Sequence, residues 1–253
     1  MNKRLVIKIG SDTITSSNGL NYKRINSLAN DVSKLHNDGY EILVVSSGAI
    51  SSGLKHIGET NRPNSLARKR ALAAIGQGYL MEAWIKAFHP TLVAQALLTW
   101  KELADNESKQ KAKETIAELL KEKVIPIINE NDTVADEEIR FSDNDQLALK
   151  LAKLVNADRL ILLTDVDGLH SSDPKTDESS SLISRVEKID DKIKAMVNET
   201  KSENGKGGML SKILVAEEAM ENGITTNILN GKKDGAILSL IKEGVNLGTE
   251  FSV

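Results

Sequence analysis

Two lysines lie beside glycines at positions that suggest a phosphate-binding site. Lys8 interrupts the apolar run from Leu5 to Ile9, which ends at Gly10. A lysine in a buried strand must reach solvent, find an anion or lose its charge. Lys212 follows residues 205–208, three of which are glycines, and would lie on the first turn of a helix. Both lysines are therefore candidates for contact with one anion.

Each of these features also has an ordinary structural explanation. Lys8 could extend along the strand to solvent, and glycine-rich segments are often only flexible loops. The segment before Lys212 matches neither the Walker A pattern nor the dinucleotide-binding fingerprint. The combination of two lysines and glycine turns nevertheless favours a phosphate site, because glycine lets backbone N–H groups approach the anion.

A serine–glycine pair, Ser47-Gly48, joins a predicted strand to a short helix. One interpretation is a plain turn in which the serine caps the helix. The other is a site for an anion or a carboxylate at the helix N-terminus, where free N–H groups and the helix dipole favour negative charge. The pair is not a hydrolase nucleophile elbow, because the G-x-S-x-G spacing is absent.

An acidic region lies between two polar segments, Asn129 to Asp132 and Ser142 to Asp145. Most of its charges are consistent with a solvated loop, and the spacing does not match an EF-hand. However, Asp132 follows a predicted strand and Asp145 begins a predicted helix. Carboxylates at those places can hold an ammonium group, a metal ion or a catalytic lysine. We therefore expect an acceptor that carries a positive group, such as an amino acid.

These residue types predict phosphoryl transfer, which depends mainly on positioning and on electrostatic stabilisation of the phosphoryl oxygens. A carboxylate acceptor is already ionised at neutral pH and needs no general base. Its obstacle is repulsion from the phosphate, which lysines and helix N-termini relieve. The chain has only four scattered histidines, which is consistent with chemistry that needs no imidazole base.

Composition excludes several other classes of protein. The 253 residues carry a net charge of −3 and only 3% aromatic residues, so nucleic-acid binding is not expected. The absence of cysteine excludes disulfides, thiolate nucleophiles and cysteine-based zinc sites. We see neither a signal peptide nor an apolar run of membrane-spanning length, and therefore expect a cytoplasmic protein with no membrane partner.

The elements that must position these residues alternate between strands and helices. Apolar, non-alternating strands of this kind predict a parallel sheet covered on both faces. The ligand then lies beyond the carboxyl ends of the strands. The predicted strands are 5–9, 42–45, 92–98, 124–128, 160–163, 224–229 and 249–253. The predicted helices are 22–38, 66–88, 108–122, 145–154, 209–221 and 236–241.

Three local features carry specific expectations. Gly76 and Gly78 inside a helix predict close packing or a break. Pro126 suits an edge strand or a strand end. Residues 168–191 are polar and predict a surface insertion. No linker divides the chain, so we expect one domain, with an acceptor-binding half over about 1–150 and a nucleotide-binding half over about 151–253.

Several segments together closely resemble the amino acid kinase family, in particular its members that phosphorylate glutamate. The resemblance spans essentially the whole chain, and its segments are residues 6–11, 46–50, 128–132, 143–145, 163–165 and 207–209. It implies a three-layer αβα sandwich around a mainly parallel sheet. The implied activity is ATP-dependent phosphorylation of the L-glutamate γ-carboxylate, the first step of proline biosynthesis. It further implies Mg²⁺ with the ATP, feedback inhibition by proline and a homo-oligomer, either dimer or tetramer.

The resemblance assigns roles to individual residues. Lys8 and Lys212 correspond to the lysines that neutralise the transferring phosphoryl group, and Asp145 to the aspartate that orients them. The positions that correspond to glutamate-binding residues are Ser47, Asp132 and Asn144. The positions that correspond to nucleotide-binding segments and backbone donors are Lys8, Gly10, Ser11, Gly48, Thr164, Asp165, Lys206, Gly207, Gly208, Met209, Leu210, Ser211 and Lys212. The resemblance identifies no direct Mg²⁺ ligand.

Two departures from the family pattern and two alternatives remain. Many relatives carry a C-terminal RNA-binding-like (PUA) module, whereas this sequence stops just after the kinase-like region, and Lys206 stands where threonine is frequent.

The first alternative is a kinase for another acceptor, uridylate or acetylglutamate; the carboxylates from Glu130 to Asp145 would repel uridylate. The second alternative is a non-catalytic sensor that binds an amino acid and a nucleotide.

Overall fold

The computed structural model describes residues 3–16, 19–61, 63–135, 144–172, 177, 179–198 and 208–252, which form an eight-stranded sheet with a small two-stranded hairpin beside it. The strands are β1 (Arg4–Ile9), β2 (Thr15–Ser16), β3 (Gly19–Leu20), β4 (Glu41–Ser46), β5 (Val93–Leu98), β6 (Ile125–Glu130), β7 (Arg159–Thr164), β8 (Arg185–Val186), β9 (Thr225–Asn230) and β10 (Thr249–Phe251). The helices are α1 (Ser11–Ile14), α2 (Tyr22–Asn37), α3 (Ala49–His56), α4 (Leu66–Phe88), α5 (Trp100–Ala104), α6 (Asn106–Lys121), α7 (Asn144–Leu154), α8 (Asp191–Asn198), α9 (Met209–Glu221) and α10 (Ala236–Leu238), with a π-helical turn at Ser239–Glu243.

The order of strands in the main sheet is β5-β6-β4-β1-β7-β9-β10-β8, so β1 lies near its centre. Lys8 is paired in register with Val45 of β4 and with Leu162 of β7, and both neighbours run parallel to β1. Among the described strands of the main sheet, β10 pairs with β9 in antiparallel fashion, and β8 runs parallel to β10 at the edge. The predicted mainly parallel sheet is confirmed, and the ends of β1, β4, β6, β7 and β9 meet at one edge.

Apolar side chains from alternate strand positions build one core on each face of the sheet. Leu5 and Ile7 of β1 pack in the core shared with α2, α3, α4 and α10. Val6 packs in the opposite core, shared with α6, α7 and α9. Because successive side chains of a strand point to opposite faces, Lys8 lies on the same face as Val6. This three-layer arrangement confirms the predicted fold class and directs Lys8 toward α7 and α9.

The two glycines of α4 differ in their surroundings. The helix runs without a break, and the prediction of close packing is confirmed at Gly76, where a Cβ atom would lie 1.9 Å from the Ala49 carbonyl oxygen and 2.4 Å from the Gly53 nitrogen. A Cβ on Gly78 would meet nothing within 4 Å. The backbone of α3 therefore touches α4 at a point where only glycine fits.

The expectations for Pro126 and for residues 168–191 hold only in part. Pro126 does not mark an edge strand, because β6 lies between β5 and β4. The alternative of a strand end is confirmed: the ladder to β4 begins at Ile127, so the missing N–H of Pro126 interrupts no bond to β4. Residues 168–191 are not entirely a surface insertion, since Leu169 and Val186 are buried in the core and β8 forms the edge of the main sheet.

Short elements were not predicted. The hairpin of β2 and β3, α1, α5 and α8 are each too short for a clear hydrophobic period. The predicted helix over 236–241 is three α-helical residues followed by the π-helical turn. Among the helices of the described residues, none combines the length and the apolar character that crossing a bilayer would require.

Candidate active site

A carboxylate between two lysines forms the centre of the candidate site. Lys8 Nζ lies 2.7 Å from Asp145 Oδ1, and Lys212 Nζ lies 3.0 Å from Asp145 Oδ2. All three side chains are almost fully buried, at 5%, 7% and 0% exposure for Lys8, Lys212 and Asp145. The structure thus brings together the three residues to which the sequence analysis assigned the transfer of the phosphoryl group.

Three different elements supply this cluster. Lys8 comes from the central strand β1, Asp145 from the first turn of α7, and Lys212 from the first turn of α9. Asp145 is well placed near the N-terminus of its helix, where a negative charge interacts favourably with the helix dipole. Ammonium groups held by a buried carboxylate keep fixed positions, which makes them preorganised donors toward developing negative charge.

The turn after β1 passes close to the cluster. The Gly10 nitrogen donates to the Leu163 carbonyl oxygen at 3.3 Å, and its φ of −70° is accessible to any residue. A Cβ atom on Gly10 would nevertheless lie 3.3 Å from that oxygen and 3.7 Å from Lys8 Nζ. Ser11 follows as the first residue of α1 and is half-buried. A side chain here would therefore crowd the Leu163 carbonyl oxygen, and its Cβ would be in van der Waals contact with the ammonium group.

A chain of side-chain amides leads from the cluster to Ser47. Asn144 directly precedes Asp145, and its Nδ2 donates to Ser47 Oγ at 2.8 Å and to Asn129 Oδ1 at 2.9 Å. Asn129 in turn donates to Gln77 Oε1 at 2.9 Å. The structure therefore joins Ser47 and Asn144, two residues predicted to bind the acceptor, and adds Asn129 and Gln77 to them.

Sequence reasoning assigned no role to Asn129 or Gln77. Asn129 lies in a segment that contributed to the family resemblance, at the end of β6, and its position after a strand was the available signal. Gln77 lies within α4, and nothing in its local sequence distinguishes it from a surface glutamine. Its position opposite Asn129 follows only from the packing of α4 against the sheet.

Asp132 and Gly48 lie at the same edge of the sheet. Asp132 is half-buried on the turn that follows β6. Gly48 caps α3 with a φ of 111°, a left-handed conformation that favours glycine. A Cβ at Gly48 would also come within 3.4 Å of Ile14. The Ser47-Gly48 turn thus packs against α1 and the hairpin that follow Gly10.

The remaining predicted nucleotide-binding residues follow β7 or precede Lys212 at the start of α9. Thr164 ends β7 and is half-buried, whereas Asp165 is exposed. Gly208 caps α9, and its carbonyl oxygen accepts from the Ser211 nitrogen at 3.1 Å, so Met209, Leu210 and Ser211 form the first turn before Lys212. Lys206 and Gly207 lie outside the described residues.

The end of β9 adds polar groups that the sequence analysis did not single out. Asn230 and Lys233 both bond to Asp167 Oδ1, each at 2.8 Å. These two hydrogen bonds, first that from Lys233, hold the pKa of Asp167 below its usual value. Gly231 allows the close approach of the neighbouring turn, since a Cβ there would lie 2.6 Å from the Thr13 side chain. The only sequence signal was the position of Asn230-Gly231 after a predicted strand.

A buried arginine anchors the same loop to α2. Arg24 bonds to Asp234 and to the Lys233 carbonyl oxygen, and Ser27 donates to Asp234 at 2.7 Å. Burial lowers the pKa of Arg24 against the opposing effect of Asp234. The hydrogen bond from Ser27 and the charge of Arg24 lower the pKa of Asp234. This contact fixes the end of β9 relative to the first half of the chain.

The donor set fits a nucleotide and a metal ion carried by it. Two buried ammonium groups, those of Lys8 and Lys212, are suited to contact with phosphate oxygens. Among the described residues, no group of three histidine, aspartate or glutamate side chains is placed to hold a metal ion. Mg²⁺ commonly keeps several waters and binds through substrate phosphates with one or two carboxylates. A Mg²⁺ ion bound in that way would not require a group of three protein side chains.

Comparison with known proteins shows relatives along nearly the whole chain. Glutamate 5-kinase of Clostridium acetobutylicum is 41% identical over 251 residues, covering 98% of this chain and 94% of that protein. Glutamate 5-kinase of Thermus thermophilus is 44% identical over 253 residues, covering 98% of this chain and 67% of that protein. The structure of UMP kinase from Ureaplasma parvum covers all of both chains with a TM-score of 0.64. Its 19% sequence identity makes it a likeness of fold alone.

The family follows from the match over most of the sequence. Residues 3–230 match the model of the amino acid kinase family. This range includes all the residues of the lysine–carboxylate cluster and of the amide chain. The protein belongs to the amino acid kinase family.

Proposed function

We propose that this protein catalyses the ATP-dependent phosphorylation of the γ-carboxylate of L-glutamate. The product is L-glutamyl 5-phosphate, and the reaction is the first step of proline biosynthesis. The observation that carries the proposal is the adjacency of two groups on α7: Asp145 holds the two lysines, and Asn144 begins the amide chain to Ser47. The identity of 41% to 44% to glutamate 5-kinases over nearly the whole chain supports it.

The reaction follows from the charges of the reactants. An oxygen of the γ-carboxylate attacks the terminal phosphorus of ATP, the bond from that phosphorus to the β–γ bridging oxygen breaks, and ADP leaves with the electron pair. No proton has to be removed, because the carboxylate is ionised at neutral pH. The main obstacle is the repulsion between the carboxylate and the phosphates of ATP. Positioned cations lower the barrier because they stabilise the charge on the phosphoryl oxygens.

We assign the phosphoryl-transfer roles to the buried cluster. Lys8 and Lys212 neutralise the transferring group from two directions, and Asp145 orients both ammonium groups. Mg²⁺ bound with ATP would neutralise further phosphate charge. We assign glutamate binding to Ser47, Asp132 and Asn144, with Asn129 and Gln77 as positioning residues behind them.

The nucleotide is assigned to the glycine turns and the second half of the chain. Gly10, Ser11 and Gly48 would supply backbone donors, and the other contacts would come from Thr164, Asp165 and residues 206–212. On this assignment the acceptor-binding half covers about 1–150 and the nucleotide-binding half about 151–253. The two halves meet where Lys212 reaches Asp145.

Regulation and assembly extend the same proposal. An enzyme that commits glutamate to proline synthesis is expected to be inhibited by proline, to work in the cytoplasm and to form a dimer or tetramer. Activity measured with and without added proline tests the first point. Sedimentation of the purified protein tests the last.

Trapping of the product tests the reaction itself. The purified protein is incubated with ATP, Mg²⁺ and hydroxylamine, and with either L-glutamate, acetylglutamate or uridylate as acceptor. We expect γ-glutamyl hydroxamate and stoichiometric ADP only with L-glutamate. Binding of glutamate and ATP without ADP formation would instead indicate a sensor, and ADP formation with another acceptor would reassign the substrate.

Substitution of Lys8 tests the role of the cluster. Because Lys8 contacts charge that develops in the transition state, Lys8→Ala is expected to lower kcat about 100-fold or more with a much smaller change in glutamate KM. Lys3→Ala, an exposed lysine just before β1, serves as the matched control and should leave both constants unchanged. Equal losses in kcat and in glutamate affinity would indicate a structural role for Lys8.

A further inference from the structure

A polar cavity lies in the helical layer between the α5–α6 segment and the C-terminal half of α7. Its volume is about 630 Å³, which is within the range of small-molecule sites. Lys153 of its wall follows Asp145 by eight residues along α7, which corresponds to about 12 Å along the helix axis. The cavity is therefore separate from the catalytic cluster.

Four lysines line this cavity. Lys109 and Lys113 are one helical turn apart on α6, so their side chains project from the same side of the helix. Both are exposed, and neither has an acidic partner within the described ranges of the chain. Lys150 and Lys153 face them from α7. The four ammonium groups repel one another. An anion placed between them relieves this repulsion, and its binding is therefore more favourable.

One carboxylate already contacts the α7 pair. Glu218 of α9 lies 3.0 Å from Lys153 Nζ and 3.7 Å from Lys150 Nζ. Glu114 lies on the α6 side, where it accepts a hydrogen bond from the cavity residue Gln110. An incoming anion would compete with Glu218 for the same ammonium groups.

The remaining wall is suited to the uncharged part of a ligand. Trp100 lies beneath Lys150, whose Nζ is 4.7 Å from the ring centroid, and buried Leu103 and Leu154 continue the apolar surface. Carboxamides at Asn106 and Asn222 offer both donors and acceptors. The cavity thus combines ammonium groups, an apolar surface and amides. This combination suits a phosphorylated metabolite.

We propose that this cavity binds a phosphorylated small molecule that is neither of the two substrates. The proposal concerns a site beyond the proposed kinase reaction and does not depend on the identity of the acceptor. Its phosphate groups would lie between the α6 pair and the α7 pair of lysines, and its carbon skeleton against Trp100.

Tryptophan fluorescence gives a local measurement. The chain has two tryptophans, and Trp84 is fully buried in the opposite core. Inorganic tripolyphosphate is the probe. It is titrated into the protein while glutamate and a non-hydrolysable ATP analogue with Mg²⁺ occupy the candidate active site. We expect a saturable change in emission that is lost in Trp100→Phe, and much weaker binding of sulfate, which spans fewer lysines. The absence of a saturable change would overturn the proposal.

Charge variants test the position of the anion. Lys109→Gln/Lys113→Gln should weaken tripolyphosphate binding at least about tenfold, because charge-assisted contacts are lost. The control Lys111→Gln/Lys121→Gln removes the same charge from the same helix outside the cavity and should change affinity less than about twofold. Equal effects of the two double variants would show only general attraction and would reject the site.

Removal of the competing carboxylate should act in the opposite direction. Glu218→Gln is expected to tighten tripolyphosphate binding, whereas Glu118→Gln, whose exposed partner Lys121 lies outside the cavity, should leave it unchanged. Retained kinase activity in each variant reports that the fold is intact. Weaker binding in Glu218→Gln would contradict competition for Lys150 and Lys153.

Discussion

Asp145 contacts both of the site lysines with its two carboxylate oxygens. It has no exposed surface and lies within 3.0 Å of both ammonium groups. The lysines come from β1 and α9, so no local interaction could hold them together. A carboxylate at the start of α7 therefore connects the two halves of the sheet at the candidate active site.

Replacement of this carboxylate should damage both catalysis and folding. Asp145→Asn leaves two buried lysines without their shared anion, and breaking a buried ion pair costs about 3–5 kcal/mol. We expect that loss in urea unfolding and a fall in kcat of about 100-fold or more, because the ammonium groups lose their orientation. Glu118→Gln, which breaks an exposed pair with Lys121, should cost less than about 0.5 kcal/mol. A kcat within threefold of the unchanged protein would contradict the role of Asp145.

Gln77 provides a test of the amide chain. Gln77→Met keeps the length of the side chain but removes the oxygen that accepts from Asn129, leaving a buried amide without this bond. We expect the glutamate KM to rise about tenfold, because Asn129 and Asn144 lose their fixed orientation, with kcat and the ATP KM nearly unchanged. If Gln77→Met behaves as the unchanged protein, Gln77 contributes only volume.

The contact between α3 and α4 fixes the elements behind the Ser47-Gly48 turn. α3 begins directly after that turn, and its backbone at Ala49 and Gly53 touches Gly76 of α4. Gln77 is the next residue of α4, so the same packing presents Gln77 to Asn129. Helix packing therefore positions Gln77, which belongs to the amide chain of the proposed acceptor site.

Two glycine substitutions on α4 form a matched pair. Gly76→Ala would place a methyl group 1.9 Å from a backbone oxygen, and overpacking of this kind costs roughly 1–3 kcal/mol or more. Gly78→Ala enters open space and should stabilise the helix by up to about 1 kcal/mol. Urea unfolding of both variants checks the prediction. Equal stability changes would show that α3 and α4 are not in close contact in solution.

At the scale of the whole molecule, the free energy of unfolding should depend on Asp31, a buried acid outside the lysine cluster. Asp31 of α2 is only 5% exposed, near the Arg24–Asp234 contact that fixes the end of β9. Burial raises the pKa of Asp31, while the charges of Lys34 and Arg24 act in the opposite direction. Because the native pKa lies above the usual 3.8, ionisation of Asp31 disfavours the folded state.

Asp31→Asn should therefore be more stable than the unchanged protein at pH 7. Below pH 3.8 the carboxyl is neutral in both the folded and the unfolded states, so the two proteins should have similar stability. The difference should grow as the pH rises through the raised native pKa and then stay constant. Urea unfolding at several pH values checks this, with Glu59→Gln at an exposed ion pair as control. A stability difference that is independent of pH would refute it.

Much of the architecture follows from local patterns in the sequence. Apolar runs such as Leu5–Ile9 and the 3.6-residue period over 22–38 predict strands and helices, because burial acts on neighbours along the chain. The alternation of these elements predicts the parallel sheet and the edge where the ligand binds. The family resemblance, carried by polar residues at those strand ends, is confirmed by the match over residues 3–230.

The sequence by itself thus determined the residue types, most elements and the sheet edge where they meet. The family resemblance implied that Asp145 orients Lys8 and Lys212. Only the tertiary structure decided the contact distances of Asp145 to the two lysines, the support of Asn129 by Gln77, and the place of Pro126 in an internal strand. These facts depend on the order of strands in the sheet and on helix packing. Both are set by contacts between residues distant along the chain, which no local hydrophobic period encodes.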